Sequence, residues 1–424
     1  MSRKNSPYVV GDFWLQKRHD SASSDIWQIG FYNRKTRSRH YISTHCRDFE
    51  GAMRALDLHH AGLTMDEGLN DDPYVAWICL QYEREYGRFA ISASSLSSNM
   101  RVFVSFLIQD LVGANARMSE LNPQVFERFR RWRMGPHGYE INWLGKLYKR
   151  ESKGVVGETV SKNLDDVRAA FNYAVAMGRM KTAPKVPRLK SQYRSPPRDR
   201  VLRDHEIGAI FGYASYDPPL LRFIVLLLTT TMRPLAALKL NVTTQYRREE
   251  GLLDLHPVGA PRTKKRNPII PVIPELQPWL KQSTENFVTQ SPNALKSLRR
   301  RWNTMRRQLN LDSDVVSKTI RHTVATRLRS LGASMDQISA LMGHQESNRT
   351  TAVYAKYDPK YMEEVTVRLS LIWRDAIAHA DEWRATHYRV TTGPDKGVFK
   401  RTERDDSLPS LVAEYFSCND SHEE

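Results

Sequence analysis

Three short segments, KTIRHT (318–323), LMGH (341–344) and TTAVY (350–354), decide how the C-terminal half of this chain is interpreted. They are predicted to lie on a helical scaffold, and together they supply Arg321, His344 and Tyr354. An upstream segment, TMRP (231–234), adds a second arginine, Arg233. These four side chains are the starting point for any hypothesis about function.

The composition indicates a multidomain protein with a polyanionic partner. The chain has 424 residues, enough for about three domains of roughly 150 residues each. Lysine and arginine number 64 against 47 acidic residues, which gives a net charge of +17. This surplus favours nucleic acid first and an anionic membrane surface second. No strongly amphipathic basic helix stands out, so the membrane is disfavoured.

The cysteines and the apolar residues narrow the class further. Cys46, Cys79 and Cys418 are odd in number and far apart, which predicts neither a disulfide framework nor a cysteine-based metal site. The N-terminal segment MSRKNSPYVV lacks the apolar stretch of a signal peptide, and the apolar run at residues 223–228 is too short to cross a bilayer. A soluble cytoplasmic protein in a reducing compartment is expected.

Residues 8–59 are predicted to form three strands and one helix. Trp27, Ile29 and Phe31 alternate with smaller or polar residues, the period of a half-buried strand. A polar turn at residues 33–36 leads into a second strand at residues 37–43. The hairpin carries four basic residues that either contact phosphates or form a solvated turn: Arg34, Lys35, Arg37 and Arg39.

Residues 69–180 are predicted to be helical because apolar residues recur at helical spacing. A basic cluster that includes Arg130 and Arg131 lies beside Phe129 and Trp132. This cluster forms either a solvated face or a contact with a DNA backbone. The basic, proline-rich stretch at residues 181–200 is predicted to be a hinge linker.

Residues 201–370 are predicted to mix helices with short strands at residues 252–255 and 269–272. A basic turn, Pro261 to Pro268, separates these strands. A later helix carries Trp302 and Met305 on one face and several arginines on the other. Residues 371–424 are expected to begin as a helix and to end in a polar tail. The predicted fold class is therefore multidomain and mainly α, with small β-sheets.

The two arginines suit a phosphodiester in transfer. Such a group concentrates negative charge on its non-bridging oxygens, and a guanidinium donates paired hydrogen bonds without losing its charge. Arg233 and Arg321 can therefore clamp the phosphate. Tyr354 is the candidate nucleophile and Tyr357 is its competitor. A phenol has a pKa of about 10, so nearby positive charge would be needed to activate it.

The departing alkoxide needs a proton, and the basic turn offers two donors. Lys264 is the candidate general acid and Lys265 is nearly as good, while the alternative is a charged hairpin tip. His344 could donate to a phosphate oxygen or accept the tyrosine proton, or it could simply cap a helix. No paired carboxylates of the kind that hold Mg²⁺ are evident, and the pair His59-His60 is weak evidence for a metal. The sequence predicts chemistry without a metal or another cofactor.

At these residues the chain resembles the tyrosine recombinase, or phage integrase, family. The family motifs read roughly His/Lys-x-x-Arg, Leu-Gly-His and Thr-x-x-Tyr, and here they stand as KTIR (318–321), LMGH (341–344) and TAVY (351–354). The resemblance extends to Arg233 in TTMR (230–233) and to Lys264 ahead of the strand. It implies catalytic roles for Tyr354, Arg233, Arg321, His344, Lys264 and Lys318.

The resemblance also implies a domain plan. Residues 1–65 resemble an arm-type DNA-binding domain and residues 66–180 a helical core-binding domain, joined by the hinge at 181–200 to a mixed α+β catalytic domain at 201–370. Residues 371–424 would form a C-terminal helix and tail, and residues 360–390 could dock onto a neighbouring protomer. In the family, four protomers act on two DNA sites through a Holliday junction.

Three positions depart from the family pattern. Thr231 stands where many members have glycine, and Ala236 stands where an acidic residue often follows the first arginine. Lys318 replaces the commoner histidine; it keeps a charge and a donor but loses the acceptor. None of these changes removes a required chemical group.

The function implied is a site-specific DNA recombinase that integrates or excises a prophage or genomic island. The alternatives are a type IB topoisomerase-like enzyme and a DNA-binding regulator without catalysis. The implied partners are double-stranded DNA at attachment sites, further copies of the chain in a tetramer on DNA, DNA-bending accessory proteins and an excisionase. The implied setting is the bacterial cytoplasm, in association with the nucleoid.

Overall fold

The computed structural model describes most of the chain in two compact units. It describes residues 5–18, 25–33, 37–63, 72–110, 116–196, 199–260, 267–283, 285–290, 293–344 and 358–420. Unit 1 comprises Met1–Pro197, and unit 2 comprises Arg198–Glu424. No helix in the described ranges is long and apolar enough to cross a membrane.

Unit 1 combines a small sheet, a bundle of helices and a β-hairpin. Its strands are β1 (Val9–Val10), β2 (Phe13–Lys17), β3 (Trp27–Asn33), β4 (Ser38–Ser43), β5 (His137–Trp143) and β6 (Lys146–Ser152). Its helices are α1 (Phe49–Leu63), α2 (Val75–Glu85), α3 (Ala93–Asp110), α4 (Pro123–Met134) and α5 (Gly157–Ala176).

The N-terminal sheet agrees with the predicted three strands and helix, with one addition. The strands β2, β3 and β4 pair antiparallel in that order, and the two-residue strand β1 extends the sheet beside β2. Leu15, Ile29 and Leu56 form the buried core between the sheet and α1. The alternation in β3 thus reflects a strand with one face turned toward the helix.

The β5–β6 hairpin corrects the prediction that residues 69–180 are entirely helical. Tyr139, Ile141 and Trp143 alternate along β5 and are buried, which is the period of a strand. Leu144 and Gly145 form the connection with φ values of +51° and +78°. Positive φ at both central residues matches the type I′ turn that favours two-residue hairpins. The alternation of Tyr139, Ile141 and Trp143 along the sequence therefore indicates a strand within this mainly helical region.

Much of the predicted hinge packs against unit 1. Val186 and Leu189 are buried in the core of the helical bundle. The Arg168 guanidinium donates to the Val186 carbonyl at 3.2 Å, and the Ser195 amide donates to the Glu158 carboxylate at 2.9 Å. Prolines prevent a helix here, but they do not prevent an extended segment from packing on one.

Unit 2 is mainly helical with short sheets, as predicted. Its helices are α6 (Asp204–Ala214), α7 (Pro218–Thr230), α8 (Pro234–Ala237), α9 (Val242–Gln245), α10 (Gln277–Lys281), α11 (Arg299–Gln308), α12 (Ser317–Ser330), α13 (Met335–Leu341), α14 (Glu363–Thr386) and α15 (Leu411–Asp420). Its strands are β7 (Tyr246–Arg247), β8 (Leu252–Asp254), β9 (Ile269–Pro271), β10 (Thr289–Gln290), β11 (Asn293–Ala294), β12 (His387–Arg389) and β13 (Phe399–Arg401).

Helix α7 is central to unit 2 because it is apolar on nearly every side. Every residue from Phe223 to Thr230 is buried. Helix α14 packs along α6, where Gly208 allows a very close approach: a Cβ at that position would lie 2.4 Å from the His379 carbonyl oxygen. A deeply buried helix and a glycine-lined helix contact together form a rigid base for the residues at the ends of α7 and α12.

The C-terminal residues correct the prediction of a polar tail. Strands β12 and β13 pair antiparallel, and Phe399 packs against Tyr213 with ring centroids 5.0 Å apart. On α15, Leu411 is buried, and Tyr415 stacks on Trp279 at 4.2 Å. A few aromatic residues thus fold this polar-looking stretch onto unit 2, because each ring buries a large apolar area.

Candidate phosphate-binding active site

The site begins where helix α7 ends. Thr231, the residue that follows this helix, is fully buried and has a φ of +50°, in the left-handed region. A β-branched residue is strained there, whereas glycine is not. The departure from glycine seen in the sequence therefore falls on the one residue of this turn whose backbone favours glycine.

Arg233 follows two residues later, at the N-terminus of α8. Its carbonyl accepts from the Ala236 and Ala237 amides at 2.8 and 3.0 Å, and its backbone is extended, with φ −71° and ψ 141°. Its side chain is half-buried, and Nη1 donates to the Asn267 Oδ1 at 3.1 Å. Arg233 is thus fixed at both its backbone and its guanidinium.

Arg321 lies in the second turn of α12 and is only 8% exposed. Its Nη1 donates to the Thr231 carbonyl, and its Nη2 donates to the Met342 carbonyl at 2.5 Å. Both acceptors are neutral main-chain oxygens. The guanidinium is therefore oriented from two sides, and no carboxylate of the described residues pairs with it.

His344 is positioned by the end of helix α13. The Gly343 amide donates to the Ala340 carbonyl and the His344 amide to the Ser339 carbonyl, each at 2.9 Å, while Gly343 has a φ of +61°. This pair of bonds is the Schellman motif that ends many helices. The main chain of His344 does the capping, so the imidazole is not needed for it. The two hypotheses for this histidine, capping and chemistry, are therefore compatible.

The three side chains share one electrostatic environment. Burial, reinforced by the nearby charge of Arg233, lowers the pKa of Arg321 to about 10. Burial also lowers the pKa of Arg233. The pKa of His344 is lowered by partial burial and then by the charges of Arg321 and Arg233, which keeps its imidazole neutral near pH 7. The site is a concentration of positive charge suited to an anion.

The other predicted catalytic residues are placed only in part. Lys318 is exposed in the first turn of α12, three residues before Arg321 and hence on the same helix face. Tyr354 and its competitor Tyr357 lie outside the described residues, as do Lys264 and Lys265. The structure therefore brings together Arg233, Arg321 and His344. The catalytic roles of all six predicted residues stay predictions.

The predicted DNA-binding residues fall into different environments. Arg37 and Arg39 are exposed near the start of β4, whereas Arg34 and Lys35 lie outside the described residues. The Arg131 side chain is 72% exposed on α4. The Arg130 side chain is only 12% exposed, since it pairs with Glu127 and stacks over the Tyr193 ring at 3.7 Å. These contacts give Arg130 a structural role within unit 1.

Sequence reasoning missed the residues that orient the clamp. Asn267, which holds Arg233, lies within the segment Pro261 to Pro268 that the sequence predicts to be a basic turn. The main-chain carbonyls of Thr231 and Met342, which hold Arg321, carry no residue-type signal at all. Only the replacement of glycine by Thr231 marked this turn as unusual.

One group in the described part of the chain has the spacing of a metal site. It consists of Asp204, Asp375 and His379, on α6 and α14. Arg327 donates to both carboxylates, at 2.7 Å in the case of Asp375. A guanidinium already supplies the positive charge there, and the group lies nearly two turns beyond Arg321 along α12.

Comparison with known proteins identifies the family of this region. Residues 200–360 match the model of the phage integrase family, so the chain contains a domain of that family. A 115-residue stretch is 29% identical to the tyrosine recombinase XerC of Chlamydia caviae. This match covers 24% of the chain and 36% of that relative, so it spans only about a third of the relative's length.

Two solved structures illustrate the structural similarity. The Tn1549 transposon integrase in complex with transposon right end DNA is 17% identical, with a TM-score of 0.49, and the match covers 70% of this chain and 99% of that one. The lambda integrase tetramer bound to a Holliday junction is 11% identical, with a TM-score of 0.46, and the match covers 78% and 98% of the two chains.

Proposed function

We propose that this protein is a site-specific DNA recombinase that cuts and rejoins duplex DNA through a phosphotyrosine intermediate. The observation that carries the proposal is the convergence of Arg233, Arg321 and His344 at the ends of α7, α12 and α13. Arg321 is buried, yet within the described part of the chain its guanidinium is held only by neutral carbonyls. A buried charge without a counter-charge is costly to a protein, and an anionic substrate would offset this cost.

In the proposed reaction, the tyrosine, the two arginines and the histidine have separate roles. The Tyr354 oxygen attacks the scissile phosphorus and forms a new O–P bond, while the bond from phosphorus to the deoxyribose oxygen breaks. Arg233 and Arg321 bind the non-bridging oxygens and stabilise the charge that develops on them. His344, neutral near pH 7, accepts the tyrosine proton.

A lysine completes the proton balance. Lys264, or Lys265 in its place, would donate a proton to the departing deoxyribose oxygen and leave a free hydroxyl. Lys318 would add a donor beside Arg321. The phosphodiester energy is kept in the phosphotyrosine bond, so the hydroxyl of a second strand can reverse the attack and rejoin the DNA without ATP.

Exposed arginines supply the contacts to the DNA backbone in this proposal. Helix α11 buries Trp302 and Met305 and exposes Arg299, Arg300 and Arg307. In unit 1, the exposed Arg131 and the pair Arg37 and Arg39 would contact further phosphates. Each phosphate neutralised lowers the slope of log K against log salt concentration by about 0.9, so DNA binding should weaken steeply with salt.

The biological setting follows from this chemistry. Recombination joins two DNA sites, so we infer that several copies of the chain act together, as a tetramer on paired attachment sites. The substrate would be the ends of a prophage or genomic island in a bacterial cytoplasm. DNA-bending proteins and an excisionase are the partners expected to set the direction of the reaction.

A covalent-trapping experiment tests the proposal. The protein is incubated with nicked duplexes from both junctions of its own genetic element, in EDTA, and the products are separated on denaturing gels. An adduct formed by the wild type and by Tyr357→Phe, but not by Tyr354→Phe, is the expected result. An adduct that survives in Tyr354→Phe would move the nucleophile to another tyrosine.

Two further outcomes would replace the proposed function. Relaxation of supercoiled plasmid that lacks any junction sequence would indicate a topoisomerase-like enzyme. Tight, sequence-specific binding to the junctions without an adduct would indicate a DNA-binding regulator. The same EDTA condition shows directly whether the reaction needs a divalent metal.

A further inference from the structure

Asn267 occupies a special place beside the proposed phosphate clamp. It is half-buried, and its Oδ1 accepts a hydrogen bond from Arg233 Nη1 at 3.1 Å. It also follows Lys264 by three residues and Lys265 by two in the sequence. The carboxamide therefore links the first arginine of the clamp to the strand that follows the candidate general acids.

The main chain holds Asn267 firmly in this position. Pro268 follows it directly, and the residue before a proline is restricted to extended conformations. The Leu255 amide donates to the Pro268 carbonyl at 3.0 Å, and β9 then pairs with β8 through Leu253 and Ile270. The Asn267 carboxamide thus directly precedes a segment that is hydrogen-bonded into the β8–β9 sheet.

Arg233 is constrained in the same way on the other side of the bond. It also precedes a proline, Pro234, which restricts its backbone to the extended form observed. The amides of α8 fix its carbonyl. Both ends of the Arg233–Asn267 hydrogen bond therefore lie on backbone with little remaining freedom, so the bond contributes to the direction of the guanidinium.

The type of acceptor is as important as its position. A carboxylate at this distance would orient the guanidinium but would also cancel its charge, whereas a carboxamide orients it and leaves the charge intact. The position three residues after Arg233 holds Ala236, which is 4% exposed and has no acceptor on its side chain. In this chain one acceptor that orients Arg233 comes from Asn267, two residues before β9, and this acceptor is neutral.

We propose that Asn267 is a positioning residue that aims Arg233 at the scissile phosphate without neutralising it. This inference rests on the proposed DNA-cleaving function. Asn267 acts through Arg233 and has no direct role in proton transfer. Its loss would slow cleavage and leave the affinity for DNA nearly unchanged, since many other phosphate contacts determine that affinity.

The test measures single-turnover formation of the covalent adduct on a nicked junction duplex, together with the dissociation constant for the same DNA. Asn267→Ala is expected to slow cleavage about tenfold, the effect of one hydrogen bond to a charged group. Asn267→Asp keeps the acceptor but adds a counter-charge, and it is expected to be slow as well. Asn286→Ala, at another short β-contact, serves as the matched control and should cleave at the wild-type rate.

A double-mutant cycle separates positioning from general structural damage. In an Arg233→Lys background, Asn267→Ala should cost less than about a further twofold, because the bond it removes is already absent. If Asn267→Ala still slowed cleavage tenfold in the Arg233→Lys protein, the inference that Asn267 acts through Arg233 would be overturned. Asn267→Asp at the wild-type rate would overturn the requirement for a neutral acceptor.

The remaining outcomes distinguish this inference from the function on which it rests. A wild-type protein that forms no adduct would overturn the proposed function together with the role of Asn267. An active wild type with an equally active Asn267→Ala variant would overturn the positioning role alone. A variant whose loss lies wholly in DNA affinity would also overturn it.

Discussion

Among the described residues of unit 2, Arg321 and Arg384 are both deeply buried but lie in opposite electrostatic settings. Arg384, on the C-terminal part of α14, is 4% exposed and pairs with Glu414 and with Asp381. Arg321 is 8% exposed, and its partners among the described residues are the carbonyls of Thr231 and Met342.

The difference shows how burial alone can mislead. An arginine that holds helices together is neutralised by carboxylates, because a buried unpaired charge destabilises the fold. An arginine that binds an anionic substrate is better oriented by neutral acceptors, because these do not neutralise its charge before the substrate binds. The acceptor set of a buried arginine is therefore better evidence of its role than its burial.

The sharpest test of this comparison is Arg321→Met, which keeps the shape of the side chain and removes the charge. Cleavage should fall by about 10²–10³-fold or more, the loss found when a transition-state donor is removed. Stability should change less than in the matching Arg384 variant, because the change also relieves a buried charge. Single-turnover cleavage and urea unfolding check both statements. An Arg321→Met protein that is strongly destabilised, but whose folded fraction cleaves at the wild-type rate, would contradict them.

Arg384→Met should have the opposite profile. It leaves Asp381 and Glu414 without their partner, and since both carboxylates are partly exposed we expect a loss of about 2–3 kcal/mol in the free energy of unfolding. Cleavage by the folded protein should stay within about threefold of the wild type. Arg404→Met, at an exposed pair with Asp406, is the control and should change stability by less than about 0.5 kcal/mol.

A smaller effect is expected at the turn that supports Arg321. Thr231→Gly should stabilise the protein by up to about 1 kcal/mol, because relief of the left-handed strain exceeds the entropy that glycine loses on folding. The change also removes a buried hydroxyl that finds no partner within the described residues. Thr230→Ala is the control: the Thr230 hydroxyl donates to the Leu226 carbonyl, so its removal should destabilise. Urea unfolding that showed Thr231→Gly to be destabilising would argue against strain at this turn.

The smallest expected effect is on pH dependence. His344 has a lowered pKa, so the folded site keeps its imidazole neutral below the usual range near 6.5. The contribution of the neutral ring to stability is complete above the unfolded pKa and is lost as the pH falls toward the folded value. If neutral His344 accepts the tyrosine proton, cleavage should likewise decline only below about pH 6.5, and His344→Gln should lack this acid limb. An acid limb centred above about pH 7 would contradict the lowered pKa.

The sequence predicted the parts of the fold that depend on periodicity. The alternation in β3, the apolar face of α11 and the two strands at β8 and β9 all appear within a residue or two of their expected positions. The β5–β6 hairpin was missed because neighbouring helical patterns dominated the interpretation. The C-terminal packing was missed because a few rings, such as Phe399 and Tyr415, carry it within a polar stretch.

The candidate site divides along a similar line. The proximity of Arg233, Arg321 and His344 was predictable from the order of their motifs along the chain, while their catalytic roles stay predictions. The groups that orient them are main-chain carbonyls and an asparagine distant in sequence. Every residue has a main-chain carbonyl, so the sequence does not indicate which carbonyl accepts from a guanidinium. This half of the site can be seen only in the three-dimensional structure.

The charge of Arg321, which no carboxylate among the described residues offsets, also has a consequence for the lifetime of the protein. A ligand that binds only the folded state stabilises it by mass action, and a DNA phosphate beside Arg321 would supply the missing counter-charge. Protein bound to its junction should therefore resist proteolysis longer than free protein, and Arg321→Met should narrow that difference. A molecule that has left its DNA would then be removed first, which would couple the abundance of the protein to the number of sites available to it.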